Sequence, residues 1–184
     1  MPDGFKIIFA GNLGEAQSFD TILSAVDMLI KERINVHLII LGNGRKKNYI
    51  QSKIIELGIV NNVHLLGSFE SNMMPAFFSC ADALLVSLKK DLIFSLTIPS
   101  KIQSYLACGK PIIASLDGEG ARIVKEANAG FVSNSEDVIG LKDAIRKIKS
   151  TGCDVMLISN TSMERGIIDM CDFYLYDKRN QLFK

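Results

Sequence analysis

The 184-residue chain lacks the features that mark several large classes of protein. No run approaches the roughly 18 apolar residues of a membrane-spanning helix, so the sequence predicts none. Lys and Arg number 21 against 20 Asp and Glu, and this balance lacks the positive field of a dedicated nucleic-acid-binding protein. A strand pattern follows directly on residues 1–4, which predicts a cytoplasmic protein without a signal peptide. With 48% hydrophobic residues, the chain is too apolar for intrinsic disorder.

Cysteine and histidine are scarce, and their spacing predicts no metal site. The four cysteines are Cys80, Cys108, Cys153 and Cys171. No two of them have the two-residue spacing of a zinc or redox motif, so we expect buried thiols in a reducing compartment. His37 and His64 each lie in a strand pattern, and nothing nearby completes a ligand set.

About six short apolar strands alternate with helical patterns over residues 1–150. The strands are predicted at 5–10, 36–41, 63–66, 83–87, 111–114 and 130–132. The helices are predicted at 16–32, 46–57, 73–80, 99–107, 120–127 and 135–149, with an irregular stretch at 88–98. Continuous apolar strands are typical of a parallel sheet that is covered on both faces. The sequence therefore predicts an α/β domain with an open, doubly wound parallel sheet over 1–150, followed by a helical tail over 151–184.

Ligands of doubly wound sheets bind outside the carboxyl ends of the strands, so the loops there are the candidate site. Two of them, 11–17 and 96–100, each lead into a helix N-terminus, whose unpaired N–H groups suit a phosphate. Gly11 and Gly14 allow a ligand to approach closely, and Ser100 and Lys101 add a hydroxyl and a cation. For the first loop alone, glycines that only form a turn are an equally good interpretation.

Three common nucleotide-binding motifs are absent. The first loop has no Gly-x-Gly-x-x-Gly and the second strand ends in Leu41-Gly42 without a carboxylate, which disfavours a nicotinamide enzyme. Pro111 follows Gly109-Lys110 where a phosphate loop requires Ser or Thr. A receiver domain would carry paired acids where Gly11-Asn12 stands.

Five ordered segments carry a resemblance to a known family. They are GNLG at 11–14, LGNG at 41–44, VHLLG at 63–67, ADALLVS at 81–87 and PSKIQSYLACGKPIIA at 99–114. Together they resemble the C-terminal, donor-nucleotide-binding half of a GT-B glycosyltransferase, with a Rossmann-like fold. The nearest subgroup is retaining glycosyltransferase family four, in the branch that builds bacterial surface polysaccharides. The resemblance runs from about Phe5 to Ser150, and the long 99–114 segment is its most specific part.

The resemblance implies half of a two-domain, metal-independent enzyme. Such an enzyme moves a sugar from a nucleoside diphosphate to an acceptor hydroxyl with retained configuration. The expected substrate here is a UDP-sugar, and no cofactor is expected. The acceptor would bind an N-terminal domain that this chain lacks, so the fragment alone is expected to be inactive. Peripheral membrane association of the full-length enzyme stays open.

The resemblance also assigns residues to each part of the donor. The family's Arg and Lys of the first loop correspond to Asn12 and Gln17, and its two glutamates correspond to Leu96 and Ser104. The expected diphosphate contacts are Gly11, Asn12, Gly14, Gln17, Ser100 and Lys101, with Lys101 the main cation. The expected nucleoside contacts are Leu66, Gly67, Ser68 and Ser104, and the expected sugar contacts are Leu96 and Thr97. This variant resembles a subgroup that uses UDP-linked amino or deoxy sugars, and no catalytic residue is assigned.

Two other functions remain open. Half of a sugar-nucleotide epimerase would normally carry acidic and basic catalytic residues at the strand ends, and we find none there. A non-catalytic nucleotide or protein interaction domain on the same scaffold is best supported by the loss of both glutamates and both basic residues.

Overall fold

The computed structural model describes residues 2–151, which form one sheet and the helices around it. The strands are β1 Phe5–Ala10, β2 Val36–Leu41, β3 Val63–Gly67, β4 Ala83–Ser87, β5 Ile112–Ser115 and β6 Gly130–Ser133. The α-helices are α1 Phe19–Lys31, α2 Lys47–Glu56, α3 Met74–Ser79, α4 Leu92–Ser95, α5 Ser100–Ala107, α6 Gly118–Glu126 and α7 Val138–Thr151. Short 3-10 turns cover Glu15–Gln17 and Ser71–Met73. The helical tail predicted over 151–184 lies outside the described residues beyond Thr151.

The six strands are arranged in the order β3-β2-β1-β4-β5-β6, and every neighbouring pair is parallel. The predicted doubly wound α/β sheet is thus confirmed. Chain order reverses between β1 and β4, which makes this junction the switch point of the sheet. Every residue of β2 is buried, because helices cover both faces of this central strand.

Alternate side chains of each strand enter two separate hydrophobic layers. In β1, Ile7 and Phe9 join the layer formed with α1, α2 and α7, while Ile8 joins the layer formed with α3, α5 and α6. These β1 residues are inaccessible to solvent. The two layers fix the sheet, and with it the loops at its carboxyl edge.

Two segments differ from the sequence prediction. The helix predicted from residue 16 is interrupted at Ser18, whose left-handed φ of 47° separates the 3-10 turn from α1. The stretch predicted as irregular at 88–98 contains the single turn α4, because the Asp91 carboxylate accepts a hydrogen bond from Ile93 N at 2.7 Å and caps it.

The two histidines lie together on β2 and β3. His37 Nδ1 is 3.2 Å from His64 Nε2, and the rings are stacked with centroids 5.4 Å apart. Burial, and then the neighbouring His37, lower the pKa of His64. Within residues 2–151, no third His, Cys, Asp or Glu completes a metal-binding group.

None of the helices between residues 2 and 151 combines the length and the apolar composition that a bilayer crossing requires.

Candidate functional site

The carboxyl end of β1 borders a crevice at the switch point. β1 pairs with β2 along its whole length but pairs with β4 only at Ile7 and Ile8. The backbone N–H of Ala10 therefore finds a side-chain partner and donates to the Tyr105 hydroxyl of α5 at 3.2 Å. Burial raises the pKa of this phenol well above its ordinary value. Tyr105 thus holds α5 against the opened end of β1.

The loops after β1 and β2 are in direct backbone contact. Gly11 N donates to Leu41 O at 2.8 Å, and Leu13 N donates to Asn43 O at 2.9 Å. Gly42 has a positive φ of 149°, and a Cβ atom there would lie only 1.8 Å from Gly11 O. Only glycine fits this crossing, so the two loops are locked together.

The first loop is also stabilised by its own side chain. Gly14 N donates to Gln17 Oε1 at 3.0 Å, which closes the turn before α1. Gln17 therefore occupies one of the amides that the sequence assigns to the diphosphate. In the part of the chain that the structure describes, no hydrogen bond occupies the N–H of Asn12, and Asn12 is exposed.

Lys101 joins the first loop to the N-terminus of α5. Its side chain crosses Gly11, where a Cβ atom would lie 2.6 Å from Lys101 Cε and 2.9 Å from Nζ. The ammonium lies over the Phe9 ring, 3.8 Å from its centroid. Burial lowers the pKa of Lys101 to about 8. The structure thus brings Lys101 against Gly11, two residues that the sequence assigns to one site.

A cleft of about 330 Å³ opens beside this contact. Its walls come from the loops after β1, β2 and β3, together with the first residue of α3. The lining residues are Gly11, Asn12, Leu41, Gly42, Asn43, Ser68, Phe69, Ser71 and Met74. Of the nucleoside contacts predicted from the sequence, Ser68 lines the cleft, while Gly67 O accepts a hydrogen bond from Gly42 N at 2.7 Å and Leu66 is exposed.

A larger cleft of about 430 Å³ lies away from these loops, between β6 and α7. One of its basic residues is already paired with carboxylates, and another contacts an aromatic ring. Arg146 pairs with Asp143 and Glu32, and Lys147 lies over the Phe131 ring. The carboxyl-edge cleft is the better ligand site, because it lies where doubly wound sheets bind their ligands and beside the contact of Lys101 with Gly11.

Glu15 neutralises two other lysines at this edge. Its carboxylate accepts from Lys46 at 2.7 Å and from Lys89 at 3.2 Å, and these contacts lower the pKa of Glu15. Lys101 is different, since no carboxylate of residues 2–151 lies within 4.0 Å of its nitrogen. Its charge is therefore not cancelled by an acidic side chain of these residues.

In the segment before α5, two hydroxyl side chains bond to the segment's own backbone. The hydroxyl of Ser95 donates to Leu92 O at 2.7 Å, and the hydroxyl of Thr97 donates to Ile93 O. The large aliphatic side chains point outward, with Leu92 75%, Ile93 70% and Leu96 70% exposed. Of the two predicted sugar contacts, Leu96 therefore presents an apolar surface and Thr97 has its hydroxyl engaged.

Close packing holds this apolar segment in place. A Cβ atom at Gly118, the first residue of α6, would lie 1.9 Å from Ser95 O, so α4 rests directly on the α6 backbone. At α5, Ser100 is exposed, and the Ser104 hydroxyl donates to Ser100 O at 3.4 Å.

Sequence reasoning missed several contributors to the site. Phe9 was assigned only to a buried strand, and Tyr105 only to a helix. The one available signal was the i, i+4 spacing of Lys101 and Tyr105, which places both on the same face of α5. Ser87 was not missed, since its place at the end of β4 marks it as a lining residue; it is 1% exposed, and its hydroxyl has no hydrogen-bond partner among residues 2–151.

Comparison with known proteins assigns the chain to a family. The family model of glycosyl transferases group 1 matches residues 2–157. The chain belongs to this family. Its sheet and helices form a Rossmann-like α/β fold that matches solved structures of GT-B glycosyltransferases.

Curated relatives of this glycosyl transferase group 1 chain come from bacteria and archaea. It is 28% identical over 167 residues to the probable glycosyltransferase WbjE of Pseudomonas aeruginosa, covering 87% of this chain and 38% of the relative. It is 26% identical to the lipopolysaccharide core biosynthesis glycosyltransferase LpsD of Rhizobium meliloti, covering 80% of this chain and 40% of that one. The group 1 chain thus spans about two fifths of the length of these relatives.

Two solved structures illustrate the likeness in fold. The HepE protein of Anabaena, solved in complex with UDP, superposes with a TM-score of 0.73 at 17% identity, covering 95% of this chain and 49% of that one. The pneumococcal O-GlcNAc transferase GtfA, solved with UDP and GlcNAc, gives a TM-score of 0.73 at 17% identity, covering 98% and 36%.

Proposed function

We propose that the chain is the donor-binding domain of a glycosyltransferase and holds the diphosphate of a nucleotide-sugar at the carboxyl edge of its sheet. The observation that carries this proposal is the contact of Lys101 with Gly11, which joins the first loop to the N-terminus of α5 beside an open cleft. An unpaired cation and unpaired amides at one point are suited to a pyrophosphate.

The chemical contribution of these groups is to stabilise the leaving group. When the bond between the sugar and the diphosphate breaks, negative charge grows on the phosphate oxygens. The backbone N–H of Asn12, the first N–H groups of α5 and the ammonium of Lys101 are donors fixed in place before the charge develops. Gly11, Gly14, Gln17 and Ser100 shape the turns that present them. These donors would stabilise the leaving diphosphate without a metal ion, as the resemblance implies.

UDP is the proposed nucleotide. The cleft at Ser68 lies beside the end of β3, where Leu66 and Gly67 would offer backbone groups to the base, and Ser104 would meet the ribose. The UDP complexes of HepE and GtfA, both similar in fold, support this choice. The hydroxyls of Ser95 and Thr97 are already bonded to backbone oxygens and Leu96 is exposed, which favours a donor sugar with fewer hydroxyl contacts, such as a UDP-linked amino or deoxy sugar.

A second, N-terminal domain is the proposed partner, because the chain spans only part of its relatives. The exposed side chains of Leu92, Ile93 and Leu96 offer an apolar surface on which an acceptor-bearing domain would pack. The same proposal includes transfer with retained configuration and membership in the surface-polysaccharide branch of family four. It also includes a cytoplasmic location and inactivity of this chain alone. WbjE and the lipopolysaccharide enzyme LpsD support the choice of branch.

Titration calorimetry of the chain with UDP, GDP and ADP tests the proposal. We expect saturable binding of UDP and weaker binding of GDP and ADP. Equal binding of all three would reject UDP selectivity, while sugar transfer by this chain alone would reject its inactivity.

Failure of all three nucleotides to bind would favour an interaction domain on the same scaffold. One observation speaks for that second function: Gln17 already occupies the amide of Gly14, so the first loop is partly satisfied without a ligand.

A further inference from the structure

The ring of Phe9 forms a platform under the charged end of Lys101. The nitrogen lies 3.8 Å from the ring centroid, within the range of a cation–π contact. Phe9 is inaccessible to solvent, and the Phe19 ring packs edge-on against it with centroids 5.0 Å apart. The platform is therefore fixed by the core and not by the ligand.

The opposite side of the lysine is bounded by the first loop. Lys101 Cε and Nζ lie so close to Gly11 that a Cβ atom there would overlap both. The ammonium is thus confined between an aromatic face and a backbone that carries no side chain. A flexible lysine in the first turn of a helix would otherwise sample many rotamers in water.

The kind of contact matters for a ligand that is an anion. Lys46 and Lys89 are held by the Glu15 carboxylate, which cancels charge and would repel a phosphate. An aromatic face attracts a cation through its quadrupole but adds no net charge. Lys101 is therefore held in one place with its positive charge intact.

We propose that Phe9 is a positioning residue for nucleotide binding, whose ring face holds the Lys101 ammonium at Gly11 where it meets a nucleoside diphosphate. The inference rests on the proposed function, since it takes the diphosphate as the ligand of Lys101. Phe9 would thus affect the affinity for the nucleotide only through its contact with Lys101.

A double-mutant cycle on the full chain tests this dependence. UDP and uridine affinities are measured by calorimetry for wild type, Phe9→Leu, Lys101→Met and the double variant. We expect Phe9→Leu to weaken UDP binding about fivefold, the size of one cation–π contact, and to leave uridine binding unchanged. In the Lys101→Met background, Phe9→Leu should have no further effect on UDP.

Phe19→Leu is the matched control, because it removes a ring from the same cluster without touching Lys101. It should change UDP affinity less than twofold. Phe9→Met, whose unbranched side chain adapts to the space left by the ring, replaces Phe9→Leu if circular dichroism shows that the leucine variant does not fold. An equal loss of UDP affinity from the Phe9 variant in both backgrounds, or from Phe19→Leu, would overturn the proposal in favour of a purely structural role.

The cycle separates this inference from the proposed function. If Lys101→Met weakens UDP binding but the Phe9 variants bind like wild type, only the role of Phe9 is rejected. If wild type does not bind UDP, or Lys101→Met binds it unchanged, the diphosphate role of Lys101 and this inference are rejected together.

Discussion

Lys101→Met should bind UDP at least about tenfold more weakly than wild type and yet be the more stable protein at pH 7. The loss of affinity follows from removal of the cation at Gly11, since a charge-assisted contact to phosphate contributes about 1.5–3 kcal/mol. The gain in stability follows from burial, which lowers the pKa of Lys101 from 10.5 to about 8. We expect the free energy of unfolding at pH 7 to rise by about 1–2 kcal/mol, after allowance for the lost cation–π contact.

The difference in the free energy of unfolding between Lys101→Met and wild type should decrease as the pH rises. Because the pKa of Lys101 is lower in the folded state, the unfolded chain binds more protons between pH 8 and pH 10.5. The destabilisation is therefore fully present below pH 8 and disappears as the pH rises toward 10.5. Urea unfolding at pH 7 and pH 10 should show the advantage of Lys101→Met only at the lower pH.

Lys90→Met is the matched control, because Lys90 is exposed in the loop after β4. We expect it to change the free energy of unfolding by less than about 0.5 kcal/mol at either pH. A Lys101 variant that is no more stable than wild type at pH 7, or that binds UDP equally well, would contradict the account of Lys101.

Gly42→Ala should destabilise the fold severely, by more than about 3 kcal/mol. The new Cβ atom would lie 1.8 Å from the backbone oxygen of Gly11, and neither loop can yield without losing the Gly42 N–H bond to Gly67 O. The positive φ of 149° adds strain for any residue with a side chain. Thermal melts followed by circular dichroism measure the loss.

Gly58→Ala separates the clash from the backbone strain. Gly58 also has a positive φ, 69°, at the end of α2, but a Cβ atom there would contact nothing within 4 Å. It should cost only about 1 kcal/mol. Similar losses for the two variants would mean that the crossing of the two loops is not tight.

The sheet was predictable because each of its strands is a continuous apolar run that ends at a polar or glycine-rich loop. The break at Ser18 was not, since the apolar spacing that begins at Phe19 gives no sign of a left-handed residue just before it. Local periodicity thus located the elements better than it located their ends.

The site was predictable only in part, for a physical reason. Gly11 and Lys101 could be assigned to one edge, because parallel strands direct their carboxyl ends the same way. The contact of Lys101 with Phe9 joins residues distant in the chain and depends on how β1 and β4 separate after Ile8. The engagement of the Gly14 amide by Gln17 and of the Thr97 hydroxyl by Ile93 O also emerged only from the structure.

Backbone amide shifts recorded while UDP is added test the central claim most directly, that two turns bind one pyrophosphate. The account predicts saturable shifts of the amides of Asn12 and of Ser100 and Lys101, which Lys101→Met reduces. Shifts confined to the cleft between β6 and α7, or at only one of the two turns, would contradict it.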